Sequence, residues 1–435
     1  MAFQDIRKAR NGFSREDIRT ALLILVCVCI LLALNLFLAR VLPGGEWLYL
    51  RWSGARAFLF ENLEPYSATV AERVQNLVYG RSAFSSEYGY VLNDPFYIVL
   101  LYSPLAVLPD FVSLFAHSAS PQIDFSLARG VWMFFAESAL ISTVLFTLRL
   151  LEWQPPRWIL VAILVFSLFG YYNLQSLISA SPAVFLIFIY LSILLALRSF
   201  NDELAGGLLF LAAYQWEVGA LFLLFILIFV IVNKRWGVFT GLGMALFVMF
   251  VVSFLTRPGW LIPYLRAVLS DWHRGISLNF TSILSFWLPD SNVPIRVIIF
   301  LLALLILTFE WIGAVQGHFR RIVWVAGLSL ALTTLIGFPV FQSNHVALTP
   351  TFIMILMLAL ERWNRRQILT GMIVFATAIL GPFGLYIAAI TTQARVYTDL
   401  LTLLPPIFTI IALYWMRWFA VRSPRTWLDQ VGLRK

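Results

Sequence analysis

The chain has 435 residues, of which 61% are hydrophobic and 12% are charged. A soluble globular protein has about half apolar and about one quarter charged residues, so this composition excludes that class and predicts a single integral membrane domain over residues 1–435. The net charge of +9 is typical of a membrane protein that keeps its basic residues in the cytoplasm, and we expect membrane lipid rather than nucleic acid as a partner.

The first apolar run follows a basic arm over residues 1–19, which we assign to the cytoplasm. The run itself, residues 20–39, is uncharged for about 20 residues, which is enough to span a bilayer and too long for the core of a signal peptide. We therefore expect an uncleaved anchor. The run contains both cysteines of the chain, Cys27 and Cys29; they lie two residues apart on a helix and cannot form a disulfide.

The loop that follows, residues 41–95, is rich in charged and aromatic side chains, beginning with GGEWLYLRWSGARAFLFENLEPYS. Residues 55–63 predict a short amphipathic helix on the membrane surface, ended by Pro65, and a more polar helix is expected over 68–79. Long loops in a compact bundle are often functional. This outer loop and a second one, residues 256–292, are therefore the candidate working surface.

Further apolar runs are separated by short basic hinges, which the positive-inside rule places in the cytoplasm together with the tail 419–435. Both termini are then cytoplasmic, and we expect about 12 crossings, within a range of roughly 10 to 13. The runs lie at 127–148, 158–171, 178–197, 205–232, 237–255, 293–316, 322–338, 346–361, 367–391 and 398–418. Shorter outer loops are expected near 113–126, 172–177, 339–345 and 392–397.

Two stretches leave the count open. The run 205–232 is interrupted by Gln215, Trp216 and Glu217, so it is either one long tilted helix or two short helices that turn at the outer face. The run 96–108 contains Pro104 and either crosses the membrane or re-enters it.

Motifs of soluble enzymes are absent from the sequence: it has no glycine-rich nucleotide loop, no P-loop, no HExxH and no nucleophile elbow. Its four histidines have no metal-ligand spacing, so we expect neither a metal nor a cofactor. An ion-driven transporter usually carries ionisable groups within its spans. Here Glu137 and Glu310 are the exceptions in runs otherwise poor in charge.

Several segments, taken in order, resemble a known family. They are Glu46, Trp52, the run Gly54-Ala55-Arg56-Ala57, Glu64-Pro65-Tyr66, YVLNDPFYIVLLYSPLAVLP at 90–109, NLQSLI at 173–178 and FQSNHVALTP at 341–350. This pattern is similar to the GT-C membrane glycosyltransferases, and within them to glycosyltransferase family 87, the DUF2029 group of polyprenol-phosphate-mannose-dependent mannosyltransferases.

The resemblance implies an all-α polytopic bundle of GT-C type whose long first outer loop carries interfacial helices. It also implies an enzyme of the prokaryotic cytoplasmic membrane that moves a sugar, with mannose expected, from a polyprenyl-phosphate donor. The acceptor, on the outer face, would be a glycolipid, a polysaccharide or a protein. A single direct displacement would invert the anomeric carbon.

Such a transfer needs a base for the acceptor hydroxyl and cations for the leaving phosphate. We expect Glu46 as the catalytic base, with Asp94 as the second candidate. Arginine binds phosphate with two planar contacts, and the phosphate-binding candidates are Arg56, Arg274 and His345. The expected substrate-binding residues are Tyr66, Asn93, Gln175, Gln215 and Glu217.

The sequence departs from the family pattern at two of these positions. Glu46 stands where the family usually has aspartate, and Gln215 stands where it usually has lysine. Loss of the lysine favours one alternative, a catalytically inactive GT-C-like protein of envelope assembly. The other alternative is a lipid-linked sugar flippase or another transporter, which would require a polar path through the bundle.

Overall fold

A computed structural model describes residues 15–84, 87–116, 121–274, 283, 286–287, 292–333, 335, 341–363 and 366–421. All the regular elements in these ranges are helices. Residues 1–14 of the predicted basic arm and 422–435 of the predicted tail lie outside the described residues. Residues 15–19, expected as part of the arm, are instead the first turn of a helix.

The helices are, in chain order, α1 (Arg15–Val41), α2 (Glu46–Phe60), α3 (Ala68–Tyr79), α4 (Phe96–Ala116), α5 (Pro121–Leu151), α6 (Arg157–Phe169), α7 (Tyr171–Ile178), α8 (Ala183–Arg198), α9 (Asp202–Ala213), α10 (Ala220–Val232), α11 (Trp236–Thr256), α12 (Leu261–Arg274), α13 (Asn292–Val315), α14 (Phe319–Thr333), α15 (Thr349–Arg362), α16 (Gln367–Thr392), α17 (Arg395–Trp415) and α18 (Arg417–Val421). Short 3₁₀ helices cover Trp216–Val218 and Gln342–Leu348.

Six helical segments in the described part of the chain are long and apolar enough to cross a membrane, or seven if α6 and α7, which meet at a 44° bend, form one span. Further apolar helices, such as α8 and α10, are shorter than a full span. The described part of the chain is therefore all-helical, and its apolar helices indicate a membrane-embedded protein. The total of about 12 crossings stays a prediction.

Helix α5 defines two ends of the bundle. Near its start, Arg129 binds the carbonyl oxygen of Leu42 just after α1, and at its end the carbonyl of Leu150 accepts a hydrogen bond from Arg198 of α8. Twenty residues separate Arg129 from Arg149, which is about 30 Å of helix and matches the hydrocarbon thickness of a bilayer. We name the Arg129 end, where α2 and α3 lie, the loop end. The opposite end, where α5 connects to α6 and α10 to α11, is the hinge end.

The two acidic residues within apolar runs both have partners. Glu137 accepts a 2.8 Å hydrogen bond from Asn35 of α1. Glu310 lies 2.8 Å from Arg417 and 3.5 Å from Arg321. Charged groups at membrane depth are costly unless they are paired, and these pairs attach α1 to α5 and α13 to both α14 and α18.

Glycines allow α9 and α11 to approach each other closely. A Cβ atom at Gly206 would lie 2.0 Å from the carbonyl oxygen of Val238, and one at Gly241 would lie 2.0 Å from that of Glu203. Only glycine fits at these positions, because both obstacles are backbone atoms. Such small-residue contacts are a common means of packing helices within a membrane.

The interrupted run 205–232 forms two short helices, α9 and α10, joined by the 3₁₀ turn at Trp216–Val218. Asp202, at the start of α9, is paired with Arg235, just after α10. The two ends of this hairpin, the start of α9 and the end of α10, therefore both lie at the hinge end. The 12 residues of α9 rise about 18 Å. The structure therefore has the second of the two predicted alternatives, two short helices, each shorter than the roughly 30 Å hydrocarbon core of a bilayer. That they turn at the outer face stays a prediction.

The first loop is more compact than expected. The predicted bounds of the helix over 55–63 were wrong, because α2 begins at Glu46 and ends at Phe60, and most of its side chains are buried against α3 and α4. The helix expected over 68–79 is confirmed as α3. The stretch 172–177, expected as an outer loop, is instead part of α7.

Candidate functional site

Glu46 is placed by two glycines that reverse the chain between α1 and α2. Gly44 and Gly45 have φ angles of 117° and 87°, a region that favours glycine. A Cβ at Gly45 would also lie 2.9 Å from Cδ of Arg129. Since α2 begins directly after this turn, the Glu46 carboxylate lies at a helix N-terminus, where free N–H groups stabilise negative charge.

The Glu46 carboxylate is half-buried. Burial raises its pKa, while the backbone N–H groups of Glu46 and Gly45 and the positive charge of Arg129 oppose that shift. Among the described residues it has no salt-bridge partner within 4 Å. A carboxylate of raised pKa that is not held in an ion pair is suited to accept a proton.

Arg129 attaches three segments of the chain to one another. Its Nη1 donates to the carbonyl of Leu42 at 2.6 Å, and its Nη2 donates to those of Pro43 at 3.0 Å and Ile178 at 2.8 Å. These bonds occupy both terminal nitrogens, so Arg129 is a structural clamp rather than a free phosphate ligand. Sequence reasoning missed it, although an arginine just inside an apolar run is a recognisable signal.

Aromatic contacts connect the start of α2 to the rest of the loop end. The Trp47 ring lies 4.7 Å from Phe341, 5.7 Å from Tyr88 and 5.9 Å from Tyr90. The Trp47 amide donates to the carbonyl of Ser179 at 3.3 Å. The beginning of α2, the end of α7 and the 3₁₀ helix at Gln342–Leu348 therefore meet beside Glu46.

His345 lies inside this junction and is buried. Its Nε2 donates to the carbonyl of Thr402 at 3.0 Å, and its ring packs edge-on against Tyr172 at 5.2 Å. Its Nδ1 is buried without a hydrogen-bond partner among the described residues. Gln175 lies half-buried on α7, one turn before Ser179. Both predicted residues thus belong to the elements that meet at the α2 start, and His345 is bonded to helix α17.

Asp94, the second predicted base, is buried in an ion pair with Arg51. The Nε–Oδ2 distance is 2.8 Å and the Nη2–Oδ1 distance is 3.2 Å, and only 3–4% of either side chain is exposed. Burial raises the pKa of Asp94, and the guanidinium opposes that shift. The carboxylate already has its partner, so a substrate would have to displace Arg51 to reach it. Asn93, a predicted substrate ligand, is half-buried beside this pair.

Arg56 also has a carboxylate partner. Its Nη1 lies 2.7 Å from Oδ2 of Asp110 and 3.0 Å from the carbonyl of Ala106. Ten residues separate Arg56 from Glu46 on the same helix, which is about 15 Å. The structure therefore does not bring these two predicted residues together. Arg274 ends α12, and its side chain lies outside the described residues.

A cavity of about 810 Å³ opens at the loop end between α3, α12 and the segment that follows α3. Its lining includes Glu64, Tyr66, Ser67, Glu72, Gln75, Glu87 and Arg266. The Glu64 Oε1 and the Ser67 Oγ are buried with no hydrogen-bond partner among the described residues, and the Glu64 Oε2 lies 3.4 Å from Arg257.

Other groups in the cavity wall are held in place. The Tyr66 hydroxyl donates to the carbonyl of Asp94 at 3.1 Å, and Gln75 Nε2 donates to that of Gly89 at 2.7 Å. Arg81 pairs with Glu87 at 2.7 Å and lowers the pKa of that carboxyl to about 2. Glu64 belongs to a segment that the sequence resemblance identified, but its position in a cavity was not predicted.

Helix α12 borders this cavity and has two unlike faces. Ile262, Leu265 and Leu269 are exposed and apolar, while Arg266 and Ser270 line the cavity. Such a helix is typical of a membrane surface, with its apolar face in the lipid. This pattern favours a position of the cavity near the membrane–water boundary.

Gln215 and Glu217, the remaining predicted ligands, lie at the tip of the α9–α10 hairpin and are half-buried. The Gln215 Oε1 has no hydrogen-bond partner in the described part of the chain. Neighbouring Tyr214 lies close to Arg51 and Tyr102, so the tip reaches the layer beneath the first loop. Neither residue lines the loop-end cavity.

Comparison of the chain with protein-family models, with curated proteins and with solved structures finds no match.

Proposed function

We propose that the protein is a membrane glycosyltransferase that moves a sugar, with mannose expected, from a polyprenyl phosphate to an acceptor at the loop end. The observation that carries the proposal is the loop-end cavity of about 810 Å³, which combines carboxylates, amide and hydroxyl groups. This size is within the usual range for a small-molecule site, and such groups suit a polyhydroxylated ligand. By the positive-inside rule, the loop end faces away from the cytoplasm.

The position of α12 supports a lipid-linked donor. Its exposed side chains Ile262, Leu265 and Leu269 continue the lipid-facing surface of α11, where Phe247 and Leu255 are also exposed. A polyprenyl tail lying along these helices would bring its phosphate and sugar to the level of the cavity. Arg266, at the rim, is the described cation placed to meet that phosphate.

The chemistry is a direct displacement. A carboxylate takes the proton from the acceptor hydroxyl, the acceptor oxygen bonds to the anomeric carbon, and the bond from that carbon to the phosphate oxygen breaks. Polyprenyl phosphate leaves with the bonding electron pair, and its charge is stabilised by a cation. The product then has the inverted anomeric configuration.

Two carboxylates compete for the role of base. Glu46 is the one that the sequence resemblance nominates, and its raised pKa favours proton transfer, but it is not among the residues that line the cavity. Glu64 lines the cavity and has a buried oxygen with no partner among the described residues. Asp94 is the weaker candidate because Arg51 already holds it.

The test is transfer of radiolabelled mannose from polyprenyl-phosphate mannose in membranes that contain the full chain. Glu46→Gln and Glu64→Gln are compared with Glu361→Gln, a matched control that removes an exposed carboxylate outside the loop-end cavity. Loss of the base lowers the rate by about 10²- to 10⁴-fold, and Glu361→Gln keeps the wild-type rate. No transfer by the wild type from any polyprenyl-phosphate sugar would overturn the proposal, and full activity of both Gln variants would exclude both candidate bases.

The transporter hypothesis has weaker support. A polar path needs ionisable groups facing it at membrane depth. The two acidic residues within apolar runs already have partners, because Glu137 is hydrogen-bonded to Asn35, and Glu310 is paired with Arg321 and Arg417. They therefore give little support to such a path.

A further inference from the structure

A second cavity, of about 460 Å³, lies at the hinge end and is unrelated to the proposed transfer site. It is formed where α8, α10, α11 and α14 meet, at the end of the bundle opposite Glu46. The residues that define its chemistry are Arg198, Phe200, Lys234, Arg235, Trp236 and Phe319.

Two of its three cations are already neutralised. Arg198 pairs with Glu152, and Arg235 pairs with Asp202. These arginines also lie over aromatic rings, Arg198 over Phe319 and Arg235 over Phe200. They therefore form a fixed wall rather than a free anion-binding group.

Lys234 is the cation of this cavity that no carboxylate among the described residues neutralises. Its side chain is exposed, and it occupies the turn between α10 and α11 with a φ angle of 54°. Its amide donates to the carbonyl of Ile231 at 3.1 Å, and the Arg235 amide donates to that of Val230 at 3.0 Å. The turn is thus held in place, and its ammonium group provides a positive charge at the cavity rim.

The rim is also apolar on the side that faces lipid. Trp236 is 60% exposed, Phe200 49% and Val232 48%. Tryptophan is enriched where a helix meets the lipid headgroups. A water-soluble phosphate would make no apolar contact with these exposed side chains. A phospholipid, in contrast, would place its phosphate at Lys234 and its acyl chains along the apolar surface.

We propose that this hinge-end cavity is a binding site for the phosphate of an anionic phospholipid headgroup, with Lys234 as its principal ligand. Basic pockets between membrane helices on the cytoplasmic side are suited to such headgroups, because that leaflet is negatively charged. The positive-inside rule places the hinge end on that side. The ligand would bind Lys234 and lie between the two ends of the α9–α10 hairpin, since Asp202, already paired with Arg235, and Lys234 both line the cavity.

The test uses the full-length protein in detergent and native mass spectrometry after incubation with phosphatidylcholine or with phosphatidylglycerol. The wild type retains phosphatidylglycerol in preference to phosphatidylcholine. Lys234→Gln weakens that retention about fivefold, which corresponds to one lysine near a charged lipid surface, and Lys234→Arg restores it. The matched control is Arg157→Gln, which removes an exposed cation at the same end but outside the cavity and leaves retention unchanged.

A second arm separates the two sources of phosphate. Inorganic phosphate at equal concentration leaves phosphatidylglycerol bound if the lipid is the ligand. Displacement by inorganic phosphate would overturn the lipid assignment. Equal retention of the two lipids by the wild type, or equal loss in the Lys234→Gln and Arg157→Gln variants, would overturn the site itself.

Discussion

Arg51 and Asp94 form a two-point ion pair that connects the middle of α2 to the segment preceding α4. The Arg51 Nη1 also donates to the carbonyl of Trp47 at 2.9 Å. A buried charge is tolerated when it has both a counter-ion and hydrogen bonds, and this pair has both. The beginning and the end of the first loop are therefore fixed to each other by a buried charged contact.

Breaking this pair is expected to destabilise the protein strongly. Arg51→Met or Asp94→Asn should each lower the free energy of unfolding by about 3–5 kcal/mol, because one buried group is left without its partner. The double variant Arg51→Met/Asp94→Asn should lose less than the sum of the two single losses. Thermal unfolding in detergent measures these differences. Additive losses would contradict a coupled pair, and a wild-type melting temperature in Asp94→Asn would remove the structural role from Asp94.

Local sequence patterns were sufficient to predict where several helices lie, but not which side chains pair between distant parts of the chain. Run length and hinge position anticipated α3, α5 and α11, since apolar length and turn residues are local properties. Arg51 pairs with a residue 43 positions away, and Arg129 bonds to carbonyls 87 and 49 positions away. No periodicity encodes such pairings. This is why Arg56 was predicted as a phosphate ligand without knowledge of Asp110, and why Glu64 was not placed in a cavity.

Arg129 should contribute more to the free energy of unfolding than Arg149, another arginine of α5. Arg129→Met removes hydrogen bonds to the carbonyls of Leu42, Pro43 and Ile178 and should cost about 2–4 kcal/mol, because several buried acceptors lose a charged donor. Arg149→Met, on the exposed side of the same helix, is the matched control and should cost under about 1 kcal/mol. Unfolding monitored by circular dichroism compares them. Equal losses in the two variants would exclude the clamp.

The Glu46 carboxylate should make stability depend on pH. Its pKa in the folded state is raised by burial, so the fold favours the protonated form. The stabilising contribution of this form is complete below the pKa of an unfolded glutamate and is lost as the pH rises through the folded pKa. Glu46→Gln should therefore be more stable than the wild type at neutral pH and equal to it below about pH 4.

The measurement is the melting temperature of both proteins across that pH range. Glu72→Gln serves as the control, because it removes an exposed carboxylate and should follow the wild-type profile. A Glu46→Gln profile parallel to the wild type at every pH would contradict the burial of a charged Glu46. A variant that is more stable but inactive in transfer would be the expected compromise between stability and catalysis.

The glycine contact between α9 and α11 provides an internally controlled test of the fold. Gly206→Ala places a methyl group 2.0 Å from the Val238 carbonyl oxygen, whereas a methyl group at Gly207, the next residue, meets no atom within 4 Å. Both substitutions exchange glycine for alanine in one helix, so both gain up to about 1 kcal/mol of helix propensity. Only the first must separate two backbones, at a cost of about 1–3 kcal/mol. We expect a lower melting temperature for Gly206→Ala and an equal or higher one for Gly207→Ala.

The partner helix allows the same comparison. A Cβ at Gly241 would lie 2.0 Å from the Glu203 carbonyl oxygen, and one at Gly243 would meet nothing within 4 Å. Gly241→Ala should therefore destabilise the protein in detergent, and Gly243→Ala should not. Because α9 carries the hairpin tip with Gln215, separation of α9 from α11 should also lower sugar transfer by the surviving folded protein. If all four alanine variants melt at the wild-type temperature, the helices do not pack at this distance in the membrane protein.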